Sequence, residues 1–334
     1  MTDLRSPLLS VAVYTYNQEK LATETLDSLL ADDALFALPG GVELVVSDDC
    51  STDGTVRAVS SWMERRGGSF FSCRLLTGER NEGPVRNYTR AVRACDGEIV
   101  KPLAGDDLFC PQGLRDSVLE MAGSPDVSVA FGRIAPFREG VDSASKGWSA
   151  EQRRFFAEDA RGQFKTLISC DPLPAPGVLF RRTLFEELRL WDHGFFWMED
   201  WPFWLLATAA GHRIVGLDRT VVRYRIHAGS LSQRMNAPGR ERVRRGMSAD
   251  RRLMYDRIVL PRMMELPPAL RHHARLRRFF FAWLERTRYP ALVHWARELS
   301  LLIDPYRMGL KLKGLLNRND RPAGIEGGRG REVV

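Results

Sequence analysis

The alternation of short apolar segments with amphipathic segments constrains the fold of this chain more than any other feature. Residues 8–14 predict a buried strand, and residues 19–30 carry apolar positions at helical spacing. The further predicted elements are a strand at 42–47, a helix at 56–65, a strand at 73–77, a helix at 84–94 and a strand at 98–103. This order predicts an α/β fold with a mainly parallel, doubly wound sheet.

Polar residues follow three of the predicted strands directly. Residues 14–17 come after the first strand, Asp48 and Asp49 end the second, and Asp106 and Asp107 follow the strand at 98–103. Because doubly wound sheets bind ligands at the carboxyl ends of their strands, we expect these loops to converge on one site.

The two aspartate pairs suit the binding of a nucleotide diphosphate. One carboxylate can accept hydrogen bonds from ribose hydroxyls or a base N–H, and another can bind Mg²⁺ or Mn²⁺ through hard oxygen ligands. Ordinary turn and cap chemistry is the alternative interpretation of either pair taken alone.

The order of motifs over residues 10–232 resembles that of the family 2 glycosyltransferases. Residues 11–17 are similar to that family's first strand and Tyr-Asn loop, and residues 46–55 are similar to its second-strand signature. The resemblance implies the GT-A fold of nucleotide-diphospho-sugar transferases, with a Rossmann-like, doubly wound mixed sheet. The nucleoside contacts that it implies are Tyr14, Tyr16 and Asp49.

Two further blocks of the chain extend the resemblance. Residues 81–87 match the family's next block, which implies that Asn81, Gly83 and Arg86 border the donor. Residues 103–107 correspond to the metal-binding carboxylate motif, which in many members reads Asp-x-Asp-Asp.

Ala104 occupies the first acidic position of that motif. The resemblance then implies that Asp107 holds Mn²⁺ or Mg²⁺ and that Asp106 lies nearer the sugar or ribose. The loss of one potential ligand predicts weaker metal binding than in members with the fuller motif.

The segment from Trp197 to Trp201 resembles the family's Glu-Asp motif, whose aspartate is the general base of inverting members. An acceptor hydroxyl must lose its proton as it attacks the anomeric carbon, and a fixed carboxylate can take that proton. Asp200 is the candidate, and its aromatic surroundings would raise its pKa. The alternative makes Asp200 the N-cap of a helix over 201–210 and the tryptophans core.

Residues 224–230 resemble a block that follows the last catalytic strand in many members. His227 would reach the metal or the pyrophosphate, and Arg225 would bind phosphate oxygens. A structural histidine at the end of a strand is the alternative.

The sequence divides into a catalytic domain at 1–235, a basic aromatic helical extension at 236–318 and a disordered tail at 319–334. Within the first, a nucleotide-sugar half covers about 1–110 and an acceptor half about 111–235, in which residues 141–171 are weakly patterned. The extension could lie on an anionic membrane surface and suit a lipid-linked acceptor, cap the catalytic domain, or mediate self-association.

Composition and sequence patterns narrow the expected partners and the expected cellular location. The net charge of +7 is not accompanied by a nucleic-acid-binding motif, so nucleic acid is not an expected partner. Without a signal peptide pattern or about 18 consecutive apolar residues, the chain is expected in the cytosol, with the inner face of the membrane as a possible docking place. Its five scattered cysteines are expected to be reduced.

These features together predict a metal-dependent, inverting glycosyltransferase for cell-surface polysaccharide or glycoconjugate assembly. UDP is the commonest nucleotide in the family and so the first donor expected. Nucleotidyl transfer is a rival, but it normally needs a basic, glycine-rich loop after the first strand, and residues 14–17 contain none. A noncatalytic sugar- or nucleotide-binding scaffold is a second rival, which Ala104 supports.

Overall fold

The predicted alternation of strands and helices is present in the computed structural model, which describes residues 6–138, 141–142, 147–227, 229 and 241–287. The strands are β1 (Leu9–Thr15), β2 (Val42–Asp48), β3 (Ser72–Thr77), β4 (Ile99–Ala104), β5 (Leu108–Phe109), β6 (Val129–Arg138), β7 (Val141–Asp142), β8 (Val178–Arg181) and β9 (Ile214–Arg225). The helices are α1 (Glu19–Leu29), α2 (Thr55–Arg66), α3 (Pro84–Arg93), α4 (Pro111–Ala122), α5 (Ala150–Ala157), α6 (Ala160–Ser169), α7 (Arg182–Leu188), α8 (Trp201–Ala209), α9 (Glu241–Met254) and α10 (Pro268–Arg286).

One mixed sheet contains all of the described strands, in the order β3-β2-β1-β4-β8-β6-β9-β5, with β7 beside β6. The four strands from β3 to β4 are parallel, and β8 is antiparallel to both β4 and β6. Strand β9 is parallel to β6 and antiparallel to β5. The predicted α/β fold with a doubly wound mixed sheet is therefore confirmed, and its longest parallel part, from β3 to β4, lies in the N-terminal half.

Residues that alternate along β1 and β2 pack on opposite faces of the sheet. Val11 and Leu44 belong to one hydrophobic cluster, which includes side chains of α1, α2 and α4. Ala12 and Val45 belong to the other cluster, to which α3 and α8 contribute. Because both faces are covered, these strands are mostly apolar, apart from buried polar residues such as Ser10 and Glu43, and they end where polar residues begin.

Regular helices occupy much of the segment at 141–171 that the sequence left weakly patterned. Ser149 and Gln152 form a reciprocal capping box at the start of α5. Asp159 accepts a hydrogen bond from the backbone of Gly162 and begins α6.

Helices α9 and α10 pack on each other and on the catalytic part of the chain. Met254 and Phe281 lie in the same hydrophobic cluster as Phe203 of α8. Arg252 of α9 donates to Glu285 of α10 at 2.7 Å. As far as residue 287, the extension therefore covers the domain as a helical cap, one of the three predicted alternatives.

The predicted remainder of the extension and the tail at 319–334 lie outside the described residues. Among the helices described, none is both long enough and apolar enough to cross a bilayer.

Candidate active site

The last residues of β1 join three loops of the site. The carbonyl of Thr15 accepts hydrogen bonds from the backbone N–H of Asp49 and from Nδ2 of Asn87, each at 3.0 Å. The carbonyl of Tyr14 accepts one from the N–H of Gly105, also at 3.0 Å. The loops after β2 and β4 and the first half of α3 therefore meet at the end of β1.

The two aspartates that end β2 have different partners. Asp48 accepts hydrogen bonds from the backbone and hydroxyl of Ser51, at 2.7 and 2.6 Å, which is turn chemistry. Asp49 accepts from the backbone N–H groups of Glu82 and Gly83, at 3.0 and 2.8 Å. Both carboxylates are buried. Asp49 thus connects β2 to the loop that the resemblance places at the donor.

Gly83 connects this donor-side loop to the acceptor half. Its φ of +91° favours glycine, and an added Cβ would lie 2.5 Å from Cζ of Phe196. The backbone N–H of Val85 also donates to the carbonyl of Phe196 at 3.3 Å. The segment before the Glu-Asp motif therefore packs directly against the start of α3.

The remaining candidates on the donor side are exposed around that loop. Tyr16 is 43% exposed, and Asn81 and Arg86 are also exposed, with Arg86 forming an ion pair with Glu82 at 3.1 Å. Their side chains are accessible to a ligand.

Arg90 of α3 is a framework residue that the sequence did not single out. It donates to the hydroxyl of Ser47 at 2.8 Å and to the carbonyl of Asp48 at 2.9 Å. The only local sequence feature that could have indicated a role for Arg90 is its position one helical turn after Arg86.

The aspartates after β4 contact the end of β9. Oδ2 of Asp106 lies 2.9 Å from Nε2 of His227. Asp107 is 2% exposed and accepts the backbone N–H of Arg225 at 2.8 Å. The Arg225 guanidinium donates to the carbonyl of Asp106 and to Glu24, each at 2.7 Å. The residues expected near the metal and the pyrophosphate therefore lie next to one another; they are Asp106, Asp107, Arg225 and His227.

Burial raises the pKa of Asp107 well above its ordinary value, and the charge of Asp106 raises it further. The hydrogen bond from Arg225 and the charge of Lys101 act in the opposite direction. A cation beside these two carboxylates would favour their ionised forms.

Within the described ranges, no three side chains of histidine, cysteine, aspartate or glutamate form a metal-binding group. Asp106 and His227 offer a carboxylate and an imidazole side by side, with Asp107 adjacent in sequence. Mg²⁺ is usually held by one or two carboxylates together with substrate phosphates. These side chains therefore fit a divalent cation whose remaining ligands come from a bound diphosphate.

Asp200 begins α8, as the alternative interpretation predicted. Its Oδ1 accepts the backbone N–H of Trp201 at 2.7 Å. Trp201 and Trp204 are buried in the core, so that alternative is correct for these two tryptophans. The cap bond involves one carboxylate oxygen and is compatible with a second role for the side chain.

Glu199 and Asp200 are an electrostatically linked pair. Burial raises the pKa of Asp200, against the hydrogen bond from Trp201. Burial and the neighbouring charge of Asp200 raise the pKa of Glu199 to about 8, while a hydrogen bond from Tyr14 lowers it. Burial and mutual repulsion therefore favour one proton shared by the pair near neutral pH.

Tyr14 is influenced by both acidic groups of the site. Burial raises the pKa of its hydroxyl well above the ordinary value, followed by the charges of Glu199, Tyr88, Asp107 and Asp106. The end of β1 is thus close to both the β4 loop and the Glu-Asp motif. Together with the contact between Gly83 and Phe196, this brings the predicted site residues to one edge of the sheet.

The chain matches the family model for glycosyl transferase family 2 over residues 10–189, which is more than half of its length. The chain belongs to this family. It is 26% identical over 225 residues to an uncharacterised protein of Mycobacterium tuberculosis, covering 67% of this chain and 60% of that protein. This family 2 chain therefore spans less than two thirds of the length of that relative.

Another family 2 relative is the poly(ribitol-phosphate) β-N-acetylglucosaminyltransferase TarS of Staphylococcus aureus. It is 36% identical over 109 residues, which are 32% of this chain and 18% of that protein. A crystal structure of its residues 1–349 with UDP-GlcNAc has a TM-score of 0.50 at 18% identity, covering 90% of this chain and 92% of that one.

A mannosyltransferase from Pyrobaculum calidifontis, in complex with GDP-Man and Mn²⁺, has a TM-score of 0.51 at 20% identity. The match covers 93% of this chain and 85% of that chain. These two structural likenesses establish the shared GT-A fold.

Proposed function

We propose that this chain is an inverting glycosyltransferase that moves a sugar from a nucleotide diphosphate to a hydroxyl acceptor in cell-surface polysaccharide or glycoconjugate assembly. The observation that carries the proposal is that Tyr14 joins the two sides of the site: its carbonyl accepts the N–H of Gly105 in the β4 loop at 3.0 Å, and its hydroxyl contacts Glu199. A donor-side group and an acceptor-side carboxylate are thus within one site, as a displacement at the anomeric carbon requires.

The donor nucleotide would bind around the loop that contains Gly83 and is hydrogen-bonded to Asp49. Tyr16 offers an exposed aromatic face on which a base could stack, and Arg86 offers a positive charge beside the loop. A UDP-sugar is the first donor to test, and a GDP-sugar is the second.

Asp106, Asp107 and His227 would hold Mn²⁺ or Mg²⁺ together with the diphosphate of the donor. A divalent cation there would offset the negative charge that develops on the leaving diphosphate. Arg225 lies beside these residues and would add positive charge near the phosphates.

Asp200 would act as the general base. The acceptor oxygen forms a bond to the anomeric carbon while the bond from that carbon to the diphosphate oxygen breaks, and its electron pair leaves with the diphosphate. The hydroxyl proton passes to the Asp200 carboxylate. Because one displacement occurs, the anomeric configuration inverts.

Glu199 would support this step by keeping its own proton at neutral pH. Burial and the charge of Asp200 favour a proton on Glu199, and that proton would let the Asp200 carboxylate carry the negative charge of the pair. The raised pKa of Asp200 makes it a stronger base than an exposed aspartate.

The test compares nucleotide release and transfer by the wild type and Asp200→Asn over a panel of UDP- and GDP-sugars with Mn²⁺. Asparagine is also a good N-cap, so helix α8 should persist in this variant. We expect turnover to fall by about 10²- to 10⁴-fold while the donor Kd stays unchanged.

Asp159→Asn is the matched control, because Asp159 is also an N-cap aspartate, accepting the N–H of Gly162 at the start of α6, but lies outside the site. It should retain full turnover. Undiminished turnover in Asp200→Asn would remove Asp200 from the mechanism. Donor binding without nucleotide release by the wild type would instead favour the noncatalytic scaffold.

A further inference from the structure

The segment that leads into the Glu-Asp motif is held by a carboxylate from α9. Oδ2 of Asp250 accepts hydrogen bonds from three successive backbone N–H groups, at 3.0, 2.6 and 3.0 Å. The donors are Phe196, Trp197 and Met198. Successive N–H groups that converge on one oxygen form a concave anion-binding arrangement, which fixes the dihedral angles of the segment.

Asp250 is 5% exposed, so these hydrogen bonds form away from water. Burial raises the pKa of its carboxyl, while the three N–H groups and the charge of Arg251 lower it. Hydrogen bonds to a buried carboxylate are stronger than those between neutral groups. The contact is therefore a specific anchor between α9 and the segment.

Helix α9 also packs against the same segment one turn earlier. Gly246 lies four residues before Asp250, and an added Cβ there would lie 2.0 Å from Nε1 of Trp197. On the opposite side, the ring of Phe196 packs on Gly83. The segment thus lies between α9 and the start of α3, with little freedom to move in either direction.

Glu199 and Asp200 follow Met198 directly, so the anchored backbone determines where their carboxylates lie. We propose that Asp250 is a positioning residue, which sets the location of the Asp200 carboxylate relative to the donor loops through the backbone of 196–198. The proposal rests on the base role of Asp200 given above. It assigns α9 a part in the acceptor side of the site.

The first experiment measures kinetics and donor binding in Asp250→Asn. Asparagine keeps an oxygen acceptor but loses the charge, so the three hydrogen bonds weaken while the helix persists. We expect kcat for transfer to fall at least about 10-fold, with the donor Kd within about 2-fold of the wild type, because the donor contacts lie on other loops. Gly246→Ala, which displaces Trp197 from the same helix, should give the same division between kcat and donor Kd.

The matched control is Asp256→Asn. Asp256 pairs with Arg252 of α9 at 3.0 Å and with Arg278 of α10 at 2.8 Å. It therefore connects these two helices, and its bonds do not involve the segment 196–198. A merely structural role for Asp250 predicts that both variants lose turnover equally. We expect the control to keep the wild-type kcat.

Hydrogen–deuterium exchange provides a readout that does not depend on activity. The amides of 196–198 should exchange at least about 10-fold faster in Asp250→Asn than in the wild type or in Asp256→Asn. Unchanged exchange in this segment, or an equal loss of kcat in the control, would overturn the proposal. If the wild type transfers no sugar but exchange responds as expected, the function proposed for the site fails while the anchoring of 196–198 stands.

Discussion

Asp107 accepts the backbone N–H of Arg225 at 2.8 Å, a hydrogen bond that joins the ends of β4 and β9 across 118 residues of sequence. The carboxylate is almost wholly buried, so it stabilises the site as well as lying in the proposed cation region. Asp106 has a different environment, because its carboxylate lies beside His227. Asp107 thus has a framework role, and the proposed function adds a role for both aspartates as ligands of the cation.

Two substitutions at Asp107 should separate these roles. Asp107→Ala leaves the Arg225 N–H without its acceptor and should lower the free energy of unfolding by about 1–3 kcal/mol. Asp107→Asn retains an oxygen acceptor and should be nearly as stable as the wild type. Both should weaken Mn²⁺-dependent donor binding, measured by calorimetry with and without chelator. If chelator does not change donor binding by the wild type, the cation assignment is wrong.

Asp49 should control the shape of the donor loop. Asp49→Ala leaves the buried N–H groups of Glu82 and Gly83 without their acceptor, at a cost of about 1–3 kcal/mol in the free energy of unfolding. Because Gly83 then loses an anchor, the donor Kd should rise about 10-fold or more. Asp53→Asn is the control, since Asp53 accepts the N–H of Thr55 at the start of α2 instead. An unchanged donor Kd in Asp49→Ala would contradict this role.

The N-terminal half was predictable because each strand there is a short, mainly apolar segment followed by polar residues. The strand predicted at 8–14 is Leu9–Thr15, and the one predicted at 42–47 is Val42–Asp48. Strand β9, which begins at Ile214, was not predicted as an element. Exposed Asp218 and Arg219 interrupt its apolar pattern, and no local signal shows that the chain continues as a strand through them.

The candidate site was predictable where a loop directly follows a strand. The contact of Asp250 with 196–198 was not, because it spans 52 to 54 residues and Asp250 looks like any polar position on a basic helix. The hydrogen bond from Tyr14 to Glu199 is likewise a tertiary contact. Helices α5 and α6 were not individually predicted, although their capping residues Ser149 and Asp159 are local signals.

Glu199 should make stability fall as the pH rises. The pKa of its carboxyl is about 8 in the folded chain and 4.5 for an ordinary glutamate, so between these values the folded state holds a proton that the unfolded state has released. The stabilisation from this group is complete below pH 4.5 and is lost as the pH rises through about 8.

Glu199→Gln cannot titrate and should not lose this contribution. The free energy of unfolding of the variant relative to the wild type should therefore increase from pH 5 to pH 8, by up to about 1 kcal/mol per pH unit. Urea denaturation at several pH values measures it, and Lys101, whose pKa is lowered to about 7 by burial, contributes equally to both proteins. A difference that does not depend on pH would show that Glu199 is not protonated in the folded state.

Tyr14→Phe should distinguish a contact with Glu199 from a contact with the nucleoside. The Tyr14 hydroxyl donates to Glu199 and lowers its pKa, so its removal should raise the pKa of Glu199 above about 8. Ionised Glu199 would place a second negative charge beside Asp200 and near the leaving diphosphate, so we expect kcat to decrease above that pKa.

In Tyr14→Phe this decrease should move to higher pH by about 0.5–1 pH unit, the equivalent of one hydrogen bond. The donor Kd should stay unchanged. Tyr16→Phe is the matched control, because Tyr16 follows Tyr14 by two residues, just after β1, but is exposed, and the kcat profile of this variant should match that of the wild type. If Tyr14→Phe instead weakens donor binding about 10-fold and leaves the profile unmoved, the hydroxyl serves the nucleoside rather than Glu199.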